Sequence, residues 1–221
     1  MSKSKIQNIE KIILATSNKH KVIEIKHILK GLKVELISLL DLKNVPKIVE
    51  NRKTFEENAL KKARIVARKY KLPTVSDDSG LEVLALAGKP GVRSARFAGK
   101  NPTSQKLCQK LLRSLRLHFD YAQCPRSGIE KSSGTERSRG ARFVCCVALV
   151  LPDGKEKIIK GIVKGRIIDK MLGKNGFGYD PVFVPAGYRR TFAQMAPGFK
   201  NRISHRGQAF RKLFIALKKL T

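Results

Sequence analysis

Short apolar runs alternate along this chain with stretches in which apolar residues recur every three or four positions. That is the signature of strands alternating with helices. Residues 11–16 (KIILAT) predict a strand, and residues 19–30 a helix with Val22, Ile25, Ile28 and Leu29 on one face. A second strand follows at 34–38, then a polar loop at 50–53. Residues 54–70 predict a strong helix with Phe55, Ala59, Ala63, Val66 and Ala67 inward, opened by a Thr54/Glu57 capping box. Another helix is predicted over 103–117, with Leu107, Leu111, Leu112 and Leu115 inward. Strands at 141–151 and 156–166 are joined by the turn Pro152-Asp153-Gly154. A basic amphipathic helix over 204–220 closes the chain, burying Ala209, Leu213 and Leu217. Residues 118–140 have neither period and read as a mobile surface insertion, with a lid or partner-binding arm as the functional alternative. The whole is an α/β pattern, of a length that buries a good core as one domain or a two-lobed one.

Composition narrows the class. Hydrophobic content of 42% fits a globular protein, and no apolar run approaches the roughly 20 residues of a membrane span. The N-terminal MSKSKIQNIEK lacks a signal peptide's apolar segment. Cys108, Cys124, Cys145 and Cys146 have no metal-ligand spacing. Cys145 and Cys146 lie in one apolar strand, on opposite faces. They read as reduced core thiols, so the expected location is the cytoplasm. Against 17 acids the chain carries 47 lysines and arginines, a net charge of +30. Such an excess favours polyanionic ligands. Aromatics are few and tryptophan is absent, so no stacking platform for single strands stands out. The charge reads as a diffusely basic surface, and neither a nucleic acid nor a membrane is an expected partner.

Four segments bear on phosphate chemistry. Thr16, Ser17, Asn18, Lys19, His20 and Lys21 turn from a strand into a helix, where free N–H groups and the positive dipole end face the turn. The glycines of a Walker loop are missing, and Ser-Asn is also an ordinary N-cap. Ser76-Asp77-Asp78-Ser79-Gly80-Leu81 reads as a strand end passing into a Ser-Gly turn. Adjacent carboxylates there call for a divalent cation or a facing lysine; a solvated turn is the plainer alternative. With Glu50 they form an acidic set suited to magnesium, which takes one or two carboxylates plus substrate phosphate. Gly176-Phe177-Gly178-Tyr179-Asp180-Pro181 allows close backbone approach, with Phe177 able to stack on a base and Asp180 to accept from its edge. It is equally a glycine turn before a strand at 182–184. Residues 200–207 (KNRISHRG) put Lys200, His205 and Arg206 at the start of the last helix, where cations oppose the dipole unless an anion or polar ligand compensates.

Together IILATSNKHK, TFEENALKKA, SDDSGLEV, PGVRSARFAG, RGARFVCCVALVLPDG, NGFGYDPVF and KNRISHRGQA resemble the inosine triphosphate pyrophosphatase family, hydrolases of non-canonical purine nucleoside triphosphates. The resemblance spans nearly the whole chain. It implies one α/β domain with a long mixed central sheet flanked by helices, and two lobes with an active-site cleft between them. It also implies a homodimer and a magnesium cofactor. Thr16, Ser17, Asn18 and Lys21 would hold the triphosphate, with Lys62 facing the same phosphates. Glu50 and Asp78 would bind magnesium, and Asp78 would be the catalytic base. Ser79 would touch the substrate. Phe177, Gly178, Tyr179 and Asp180 would frame the base, and Lys200, His205 and Arg206 would complete its pocket and read the purine 6-oxo group. Two positions depart from the pattern: Arg52 stands where a glycine is usual, and Gln194 where an acid is usual. A septum-associated nucleotide pyrophosphatase would share the phosphate chemistry, but SHRG and GFGYDP argue against it. A nucleic-acid-binding protein with relic motifs rests on the charge alone.

Overall fold

The computed structural model describes residues 9–122 and 139–218. Strands Lys11–Leu14 (β1), Glu35–Ser38 (β2), Thr74–Val83 (β3), Gly140–Val150 (β4), Glu156–Ile167 (β5) and Phe183–Pro185 (β6) form one sheet in the order β2-β1-β3-β4-β5-β6. The sheet is mixed: β1 runs parallel to β2 and β3, and β6 runs antiparallel to β5. Its helices are Lys19–Ile28 (α1), Phe55–Tyr70 (α2), Ser104–Ala122 (α3), Pro197–Ile203 (α4) and His205–Leu217 (α5). The α/β class and the mixed sheet expected from the sequence are borne out.

The described residues divide into two compact units. Those up to Asp78, with Cys145–Gly161 and those from His205 on, form the first; those in Ser79–Val144 and Ile162–Ser204 form the second. In the first, strand alternation separates two apolar layers. Ile12, Leu14, Val75, Cys145, Val147 and Leu149 pack with Ile25 and Leu29 of α1 and Ala209, Phe210, Leu213 and Leu217 of α5. Ala148 and Val150 pack instead with Ala59, Ala63 and Ala67 of α2. The neighbours Cys145 and Cys146 are both fully buried, and only Cys145 joins the α1/α5 layer. In the second unit, Leu107, Leu111 and Leu115 of α3 pack with Leu81, Val83, Phe143, Phe183 and Phe192. The Phe143 and Phe183 rings meet edge to face at 4.7 Å.

Local signals place α2 well. Thr54 caps it with the full reciprocal box to Glu57, and Asn18 caps α1. Three expectations change. The Ser76–Leu81 segment is not a turn: β3 runs through it without a break, and Gly80 is not among the residues with positive φ. The second change is in α3, which passes the predicted stop at 117 and takes in residues 118–122. Phe119 continues the series Leu111, Leu115 at i+4 and packs against the same core. The remainder of the expected insertion, residues 123–138, lies outside the described residues. Third, the closing helix, found as one helix within the expected 204–220, is preceded by a separate short helix, α4. α4 ends at Ser204, whose extended backbone (φ −68°, ψ 157°) breaks the run before α5 begins. Lys200 therefore sits in the last turn of α4, where a cation suits the dipole, and not at the start of the final helix. No described helix is long and apolar enough to cross a membrane.

Candidate active site

In the first unit, Ala15 N–H donates to Val75 O (2.7 Å), fixing the end of β1 beside β3. The chain then turns into α1: Thr16 Oγ1 accepts from Asn18 N and Asn18 Oδ1 from Lys21 N, each at 3.2 Å. Ser17, Asn18, Lys19 and His20 are exposed on this turn, with Thr16 and Lys21 half-buried. The first turn of α1 carries no acid, which keeps its positive end suited to an anion.

Because β3 is extended, its adjacent acids point to opposite faces, and each meets its own partners. Asp77 is buried with Val75 on the α1/α5 side. Lys21 Nζ donates to its Oδ2 at 2.8 Å, and Arg206 Nε lies 3.6 Å from the same oxygen. Burial alone would raise the Asp77 carboxyl, but Lys21, Arg206 and Lys62 hold it well below the usual carboxylate range. Arg206 is itself buried and donates through Nη1 to Glu24 Oε2 of α1 at 2.5 Å. Lys21, expected to reach phosphate, and Arg206, expected beside the base, thus both contact Asp77.

Ser76 and Asp78 face α2. Ser76 Oγ donates to Ala59 O, and the Asn58 side chain is close enough to the Asp78 carboxyl to favour its ionised form. Lys62, also on α2, bridges Glu50 Oε1 and the Asp77 carbonyl oxygen, the latter at 2.6 Å. Burial pushes the Asp78 carboxyl up to about 6; the Lys62 ammonium opposes that rise and the Glu50 carboxylate adds to it. Burial would also raise Glu50, but Lys62 brings it below its ordinary value. Two carboxylates, Glu50 and Asp78, therefore share one neighbourhood with one lysine. That donor set fits magnesium, which needs no more than one or two carboxylates. Among the described residues no group of three or more potential ligands gathers. Asp77, grouped with these two in the sequence, is turned away from them.

Asn58 was not singled out in the sequence. Fully buried, it accepts from Arg52 N at 3.0 Å, donates to Arg52 O at 3.5 Å, and reaches Asp78. It ties the loop carrying Glu50 to the strand carrying Asp78. Arg52 is not among the residues with positive φ, so this position has no need of the usual glycine.

In the second unit, the Gly176–Tyr179 turn is fixed from several sides. Asp180 Oδ2 accepts from Phe177 N at 2.9 Å and from Lys200 Nζ at 2.6 Å. Gly176 has φ +75°, and a Cβ there would lie 2.0 Å from the same oxygen. Gly178 donates to Ser104 Oγ at 2.8 Å, and the Tyr179 hydroxyl donates to Ser94 O at 2.9 Å. Asp180 and Lys200 thus form a buried pair that holds the turn. Lys200 Nζ also lies 5.0 Å from the centre of the Phe177 ring. Ser79 is half-buried in β3. Gln194 accepts from Thr191 N at 2.9 Å in a complete capping box, a duty glutamine performs as well as glutamate. His205 and Arg206, expected with Lys200 in one pocket, open α5 in the first unit and are both buried. Gly161 lets β5 approach them: a Cβ there would lie 2.0 Å from His205 O.

Known proteins resemble this chain in sequence and in fold. The model of the Ham1 family matches residues 12–216. The dITP/XTP pyrophosphatase of Desulfotalea psychrophila is 40% identical over 93% of this chain and 84% of its own length. That of Streptomyces avermitilis is 41% identical over 95% and 98%. The solved structure of a HAM1 protein from Coxiella burnetii superposes with a TM-score of 0.81 at 38% identity, covering 96% of this chain and all of that one (100%). The chain belongs to the Ham1 family, among whose members the relatives matched here are nucleoside triphosphate pyrophosphatases.

Proposed function

We propose that this protein hydrolyses non-canonical purine nucleoside triphosphates (dITP, XTP and ITP) to the monophosphate and pyrophosphate, with magnesium held by Glu50 and Asp78. The observation that carries this reading is the buried Asp78 beside Glu50 and Lys62, with its carboxyl pushed up to about 6. A base works best when its pKa lies near the working pH. Metal-free Asp78 meets that condition, and a carboxylate oxygen left open beside magnesium would be placed to take a proton from a water attacking the α-phosphorus.

The Thr16–Lys21 turn offers backbone N–H groups and the α1 dipole to the phosphates, and Lys62 adds positive charge. Bound at the two carboxylates, magnesium would supply charge neutralisation and water activation. Lys62 keeps Glu50 ionised and oriented, and the Asp77–Lys21–Arg206–Glu24 network keeps the β3–α1 junction rigid. Within the second unit Phe177, beside the Gly178 and Tyr179 backbone, is the aromatic face suited to the purine, with Ser79 as a further substrate contact; within the first, His205 is the candidate donor for the 6-oxo group. A site built on such donors discriminates strongly against a 6-amino group. The buried free thiols Cys108, Cys145 and Cys146 accord with a reducing compartment such as the cytoplasm.

With magnesium, ITP and XTP are expected to give the monophosphate and pyrophosphate, while ATP turns over far more slowly. Product analysis by anion exchange decides it: a diphosphate with orthophosphate would exclude attack at the α-phosphorus. Asn58→Ala is expected to lower turnover tenfold to a hundredfold, roughly the range for lost supporting contacts to a metal ligand. The magnesium concentration needed for half-maximal rate should rise with it. Unchanged magnesium dependence would show that Asn58 does not align Glu50 with Asp78.

A further inference from the structure

The basic excess is not spread evenly. Between Glu82 and Asp120 there is no acid, while Lys89, Arg93, Arg96, Lys100, Lys106, Lys110, Arg113 and Arg116 fall in that stretch. The structure orders half of them on one helix. Leu107, Leu111 and Leu115 turn α3 into the core of the second unit. Lys106, Lys110, Arg113 and Arg116, spaced four, three and three apart, then share the opposite, exposed face. None of the four pairs with a described carboxylate. Lys110 Nζ lies 5.1 Å from the centre of the Phe97 ring, which draws the segment holding Arg96 and Lys100 against the same side of the helix. Asp120 closes the face at its far end.

From this we infer that the outer face of α3 is a sequence-independent docking surface for the phosphate backbone of a nucleic acid duplex, separate from the candidate active site. From Lys106 to Arg116 the ridge is roughly 15 Å long at the helical rise of about 1.5 Å per residue. A duplex strand presents one phosphate per about 3.4 Å, so the ridge spans about four of them. Four like charges on a solvated helix cost stability by mutual repulsion, and a polyanion removes that cost. The face carries no exposed aromatic residue for bases to stack on, which favours a duplex read by its backbone over a single strand. It also repels a second copy of itself.

The test is fluorescence anisotropy with a labelled 20-base-pair DNA duplex at several salt concentrations, on the full chain. The variant replaces Lys106, Lys110, Arg113 and Arg116 by glutamine. A control replaces Lys30, Lys33, Lys43 and Lys47, exposed lysines of the first unit, and removes the same charge. The α3 variant is expected to bind roughly tenfold or more weakly at moderate salt, its log–log salt slope shallower by about 3 to 4. The control should lose much less, both should keep their pyrophosphatase rate, and the α3 variant should unfold at the parent's midpoint or slightly above it as the repulsion is relieved. Equal losses in the two variants would reduce the effect to net charge and overturn the assignment. Tighter binding of single strands than of duplex would overturn it too. So would an α3 variant that loses binding only to vesicles of phosphatidylserine and phosphatidylcholine.

Discussion

Asp78→Asn is expected to lower turnover by on the order of a hundredfold or more, the usual scale for loss of a positioned base, and to leave the protein folded. The substitution keeps the shape of the side chain and its place beside Asn58. It removes the proposed proton acceptor and one of the two carboxylates proposed to hold magnesium. The metal-free protein should become more stable at pH 7. Asp78 is a buried acid whose folded pKa, about 6, lies above its unfolded value. At pH 7 the carboxylate is ionised in both states, and burial disfavours it only in the folded one. At low pH it is protonated in both, and the penalty vanishes. The stability gained by the asparagine should therefore be largest above pH 6, up to about 3 kcal/mol at 1.36 kcal/mol per pKa unit. It should fade as pH drops toward 4. Thermal unfolding in EDTA across this range measures it. A variant that keeps near-normal turnover would remove Asp78 from the catalytic role, and one equally stable at every pH would show that the carboxyl is not strained by burial.

What could be read in the sequence followed how local each signal was. The start of α2 was legible because Thr54 and Glu57 cap it within one turn, and the inner faces of α3 and α5 because leucines recur at helical spacing. β3 was misread at its far half. Ser, Asp and Gly favour turns when their polar groups meet water, but here Ser76, Asp77 and Asp78 are buried against partners on α1, α2 and α5 that the local sequence does not show. Asn58 went unnoticed for the same reason: within a helix, nothing local tells a buried asparagine from an exposed one. The split before α5 depends on one extended residue, Ser204. Arg52 and Gln194 stood out as departures from the family pattern because residue identity was all there was to judge. Backbone φ and the Thr191 box show both positions to be at ease.

Arg206→Met is expected to destabilise the protein severely. Residues opening a helix with KNRISHRG looked like ligand groups in the sequence because cations there oppose the dipole. The structure supplies another compensation: Glu24, from a position 182 residues away, accepts from Nη1, and Asp77 lies beside Nε. Methionine fills similar volume but takes away the guanidinium that donates to Glu24 and one of the three cations that hold Asp77 ionised. Removing one partner of a buried ionic group costs about 3–5 kcal/mol, which for a chain of this size lowers the midpoint by roughly 10 °C. The measurement belongs near pH 7. Asp77 is held below its unfolded pKa, so the stability this network confers is present above about pH 4 and is lost as pH falls further. A second substitution separates the lost charge pair from lost packing. Adding Glu24→Gln to Arg206→Met removes the stranded carboxylate and should recover part of the midpoint, whereas Glu24→Gln alone should lower it. A midpoint within a degree or two of the parent, with KM for XTP raised and kcat kept, would return Arg206 to the base pocket and refute its place as the keystone of the Asp77 network.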